Sequence, residues 1–139
     1  MIKGRKQLRR IHPVAVILGV LADLVITVAA GLGIVLLMFA QGIPIEEFMP
    51  RMHSLSGLLL SLIYGLGSTF CGSYVAGRIA KEGFLLHGLL VPAGSLLLTF
   101  LCWEKDLPFW YYLCQYGGMF PAGVLGGFLA GRKAMRRES

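Results

Sequence analysis

Four apolar runs separated by short polar segments organise the chain, at about residues 14–40, 55–80, 84–102 and 107–131. Runs of this length and apolarity predict membrane-spanning helices. The first would rise roughly 40 Å at 1.5 Å per residue, more than the ~30 Å hydrocarbon core, so it should tilt or protrude. The segment QGIPIEEFMPRMHS between the first two runs, bracketed by Pro44 and Pro50, reads as a loop with an interfacial turn. Lys81, Glu82 and Gly83 form a very short connection, with Gly83 suited to the left-handed conformation after a helix end. Pro92 should kink the third run, while Asp106 and Pro108 suit the cap and first turn of the fourth.

The expected fold is therefore all-α: a polytopic membrane protein forming one membrane domain over residues 1–139, a four-transmembrane-helix bundle built from two hairpins. Composition agrees. A mean hydropathy of +0.73 and 14% charged residues exclude an ordinary soluble domain. The formal charge of +6 does not indicate a nucleic-acid partner, because the basic residues gather at the ends of apolar runs. Every Lys and Arg except Arg51 and Lys105 falls in the N-terminal tail, at the connection after the second run, or at the C-terminal end. The positive-inside rule then places both termini in the cytoplasm, N-in and C-in, in a cell (cytoplasmic or plasma) membrane. Trp103, Trp110, Tyr111 and Tyr112 would gather at the outer interface. A cleaved signal peptide fits poorly, since the first run is far longer than a signal core and Asp23 interrupts it.

Small residues recur at every fourth position of the second run, at Gly57, Ser61, Gly65, Thr69, Ser73 and Gly77. Lipid gives helices no hydrophobic drive to associate, so such ridges are a main source of packing energy. The fourth run carries two ridges: Gly118, Ala122, Gly126 and Ala130 beside Gly123, Gly127 and Gly131. Either both close the internal bundle, or one is left for a second copy or a larger membrane partner.

The first run has its own series, Gly19, Asp23, Thr27 and Gly31, which turns the one intramembrane acid toward protein. Asp23 lies about 14 Å deep from Val14, near the midplane. Tyr64, Ser95, Gln115 and Tyr116 fall at comparable depth as candidate partners. An ionised Asp there costs about 2.5–3.5 kcal/mol, so it calls for a proton, hydroxyl donors or a wetted cavity. Arg78 and Arg132 end their runs where a cation complements a helix dipole, fixes topology, or grips an anionic lipid headgroup. His12, His53 and His87 are expected at different membrane edges, unable to share a metal, and Cys71, Cys102 and Cys114 as small packing residues with free thiols. No spacing in the chain calls for a cofactor or matches a catalytic constellation.

GSYVAGRIAK from Gly72 and GGFLAGRKAM from Gly126 share Gly, Ala, Gly, Arg and Ala at equivalent places, which suggests two parallel repeats. The longer pattern GSYVAGRIAKEGFLLHGLL resembles small, mostly prokaryotic four-span membrane proteins of unknown function. The likeness rests on Gly72, Tyr74, Ala76, Gly77, Arg78, His87 and Gly88, with Ser73 in place of a second glycine. It implies an architecture and no activity. The expected role is a non-enzymatic packing, assembly or accessory subunit that associates with itself or a larger membrane protein. The alternative is a small transporter or channel using Asp23 as a proton or cation site.

Overall fold

A computed structural model describes residues 11–101 and 107–135, with five α-helices and one 3-10 turn among them. The helices are α1 (Pro13–Ala40), α2 (Phe48–Met52), α3 (Leu55–Ala80), α4 (Phe84–Leu101) and α5 (Phe109–Met135), with the 3-10 turn at Ile45–Glu47. The basic N-terminal residues, Cys102, Trp103, Lys105, Asp106 and the last four residues lie outside the described residues, and with them the expectations attached to them.

Three helices, α1, α3 and α4, are long and apolar enough to cross a membrane, as in a multi-pass membrane protein. The most apolar stretch of α1 has a mean hydropathy of 2.5 and is 6% buried, against 1.5 and 39% in α3. The order inverts that of a soluble core, because here lipid is the apolar phase and the interior is held by small and polar residues. The helix α5, at 27 residues one shorter than α1, falls outside that set, its apolar side chains being interspersed with Tyr112, Gln115, Tyr116 and many glycines.

Ser54 starts α3 by accepting the Gly57 N–H at 3.2 Å, satisfying one of the orphan donors of the first turn. At the other end the left-handed turn falls first on Lys81, at φ 59°, and then on Gly83, at φ 61°. The sequence pointed to Gly83 alone. Two left-handed residues in a three-residue link reverse the chain sharply, so α4 runs back along α3. Pro108 stands before α5, not in its first turn, and the helix continues past Gly131 to Met135.

The neighbours of each helix fix the directions. Gly72 packs against Gly19 and Asp23, and Thr27 meets Ser68, so α1 and α3 are antiparallel. Gly88 meets Gly123 and Gly127 while Phe84 meets Gly131, so α4 and α5 are antiparallel. Gly118 meets Leu66, Gly126 meets Phe70 and Ser73, and Gly77 meets Ala130, so α3 and α5 run parallel. Asp23 and Gly19 meet Ser95 and Val91, which makes α1 and α4 parallel.

Small residues allow these approaches. A Cβ on Gly126 would collide with the Phe70 carbonyl, on Gly127 with the Phe84 carbonyl, and on Gly123 with the Gly88 carbonyl. One ridge of α5 thus seats α3 and the other seats α4, and both are used inside the chain. The α5 ridges consequently offer no ground for expecting a second copy.

Candidate functional site

Polar side chains from α1, α3, α4 and α5 converge on one cavity of about 240 Å³, lined by Asp23, Thr27, Ser68, Thr69, Ser95, Thr99 and Gln115 together with Val20, Leu24, Leu98, Met119 and Gly65. Asp23 is 5% exposed and sits where α1 presses on α3 at Gly72, whose missing side chain gives its Cβ room. The Ser95 hydroxyl of α4 donates to Asp23 Oδ2 at 2.5 Å. Thr69 of α3 shares its proton between the Gly65 carbonyl at 3.1 Å and the two Asp23 oxygens at 3.4 Å each. On the far wall Gln115 reaches in from α5 across Gly65, where a Cβ would meet its amide nitrogen at 2.8 Å. Its Oε1 is buried without a hydrogen-bond partner.

Of the four partners expected for Asp23, two are in place: Ser95 bonds it and Gln115 lines the same cavity. Tyr64 and Tyr116 are not among its walls. Tyr116 instead stacks with Tyr112 at 5.9 Å and Phe100 at 6.4 Å, in a run that continues to Tyr111 and Trp110. Thr69 and Thr27 were expected on packing faces but not as walls of this cavity, and Ser68 and Thr99 were not foreseen. Counting depth from the end shared by Pro13, Ala80 and Phe84 would have found the first, because Asp23, Thr69 and Ser95 lie at the same level to within a residue.

The ridge positions Gly57, Ser61, Gly65, Thr69, Ser73 and Gly77 are all buried. They do not meet a single helix: Gly57 packs under the backbone of α2, Gly65 under Gln115, and Gly77 against Ala130. Gly123, Gly126, Gly127 and Gly131 are buried as well.

The histidines require a correction. His12 and His87 share one end of the molecule, with ring centroids 6.1 Å apart, while His53 lies just before α3 at the other. The start of α1 and the start of α4 coincide because the two helices are parallel. His87 is fully buried; its Nε2 accepts the His12 backbone N–H at 3.1 Å, so its Nδ1 carries the proton and donates to the Gly83 carbonyl at 2.9 Å. Both ring nitrogens are therefore occupied. Among the described residues no group of three His, Cys, Asp or Glu could hold a metal.

Cys71 and Cys114 are free thiols, as expected, but they are exposed on the apolar surface and are not packing residues. Arg78 is half-buried at the last turn of α3 and Arg132 exposed near the end of α5. Tyr74, Leu129, Arg132 and Lys133 line a cleft there. The parallel course of α3 and α5 brings the two similar endings together, Gly77 against Ala130.

Comparison with known proteins finds no matching family model, no matching curated protein and no matching solved structure. The functional reading therefore rests on the cavity.

Proposed function

We propose that this chain is a small, non-enzymatic, multi-pass protein of the cytoplasmic or plasma membrane, N-in and C-in with α5 as its fourth span, that binds and passes a small solute at Asp23. It is a small transporter or channel with Asp23 as its intramembrane proton or cation site. One observation carries the reading: a buried carboxylate opens onto a cavity to which each of the four long helices contributes a polar side chain. Acids inside membranes mark ion and substrate paths because they are otherwise too costly to keep. A purely structural knot of hydrogen bonds would be expected to close on itself, whereas this one borders an open cavity.

The test is flux. Vesicles reconstituted with the purified chain should show proton or cation flux that Asp23→Asn abolishes. Flux no greater than in protein-free vesicles, or unchanged in Asp23→Asn, overturns the reading.

A second reading, the accessory subunit that associates with itself or a larger membrane protein, keeps one supporting observation. Gly31 and Gly33 of α1, Gly67 of α3 and Gly117 of α5 have open space where a Cβ would stand. These are outward places where another helix could approach closely.

A further inference from the structure

The hydroxyl protons around the cavity can be assigned one by one, since each hydroxyl has a single proton. Ser95 gives its proton to Asp23 at 2.5 Å. Thr99 gives its proton to the Ser95 carbonyl at 2.9 Å. Ser68 donates to the Gly65 carbonyl at 2.8 Å, which leaves Thr27 as the donor in the 2.7 Å contact between their hydroxyls. Thr69 divides its proton between the Gly65 carbonyl and Asp23. Every hydroxyl proton is thereby committed to protein. What the hydroxyls still offer the cavity is lone pairs, and to these are added the under-supplied Asp23 carboxylate and the Gln115 amide, whose Oε1 has no hydrogen-bond partner and whose Nε2 supplies the only side-chain N–H donors among the lining residues.

Such a wall suits a ligand that brings donors and positive charge. A carboxylate or phosphate would face the Asp23 carboxylate and find side-chain donors only on the Gln115 amide. A bare inorganic cation would leave the apolar part of a space of about 240 Å³ unused. Val20, Leu24, Leu98 and Met119 add an apolar patch to the same cavity. We infer that the solute of the Asp23 cavity is a primary ammonium on a short aliphatic chain, its N–H groups shared among Asp23, Gln115 Oε1 and the hydroxyl oxygens, its carbons on Val20, Leu24, Leu98 and Met119. The inference rests on the solute-site reading above and specifies its ligand. A quaternary ammonium carries the charge but no N–H, and a linear alcohol carries the chain but no charge, so both are excluded by the same wall.

The experiment measures binding to the purified full chain in lipid nanodiscs with four probes: n-butylammonium, tetramethylammonium, n-butanol and sodium. Binding of n-butylammonium alone is expected, weakened tenfold or more by Asp23→Asn and about three- to tenfold by Gln115→Leu. Equal binding of n-butanol, or of tetramethylammonium, overturns the ammonium assignment, and the wild-type series decides this without any variant having to fold. Asp23-dependent flux of protons or sodium, with no binding of n-butylammonium, overturns the ligand class and leaves the site reading standing. No binding of any probe together with no flux removes both.

Discussion

Asp23 has one strong internal donor, Ser95, and a share of a second, Thr69. Hydrogen bonds between helices in membranes average about 0.6 kcal/mol and reach about 1.7. An acid at the centre of a span costs about 2.5–3.5 kcal/mol. The two contacts do not offset that cost, and the cavity beside Asp23 leaves room for the methyl groups of a leucine. Asp23→Leu should therefore raise the melting temperature by a few degrees while abolishing flux, as at sites kept for activity at some expense in stability. A clear fall in melting temperature would instead mark Asp23 as structural glue. The depth of Asp23 and its turn toward protein were legible from its four-residue spacing with Gly19 and Thr27. Its threonine neighbour lay on the small-residue ridge of the second run but was missed as a partner, because depth counted from Leu55 sets Tyr64 level with Asp23, whereas depth counted from the end that Ala80 shares with Pro13 sets Thr69 there.

Among the elements, α5 is held tightly on two sides. Gly126 lies against the Phe70 backbone on one side while Gly123 and Gly127 lie against α4 on another. Gly126→Ala should push α3 and α5 apart and lower stability by about 1–3 kcal/mol, the usual cost of overpacking. Gly117→Ala, where nothing stands within 4 Å, should leave the melting temperature unchanged or raise it. Equal effects from the two would mean that α5 does not pack as described. The extents of α1, α3 and α4 could be read almost to the residue, since apolar runs end where charge or Gly and Pro begin. Two features depend on which helices become neighbours: the use of both α5 ridges inside the chain, which the sequence left as one of two alternatives, and the pairing of His12 with His87, which it hid and which follows from α1 and α4 running parallel.

At the level of the whole molecule the described charges separate by end. Arg78, Lys81, Arg132 and Lys133 lie with Glu82 at the end shared by Pro13 and Phe84, and Glu46, Glu47 and Arg51 lie at the other. Arg51 is held by Glu47 at 2.9 Å in an exposed pair, which contributes little to stability. If the basic end is cytoplasmic, Glu82→Cys in a Cys102→Ser background should react with an impermeant maleimide only after the membrane is opened, and Glu46→Cys should react in intact cells. Reversed labelling, or labelling of both from one side, would overturn the N-in, C-in orientation. Cys71 and Cys114, exposed on the apolar surface, should stay unlabelled throughout.

The parallel pairing of α3 with α5 also has a consequence in time. Synthesis delivers α3 and α4 first, and their two left-handed link residues let them fold back on each other at once. Until α5 emerges, Gly65, Gly77 and Gly88 line grooves with no tenant, and the cavity around Asp23 lacks the wall that Gln115 supplies. A chain ending between Leu101 and Phe109 would thus be a half-built molecule, its seams on α3 and α4 open to any other helix.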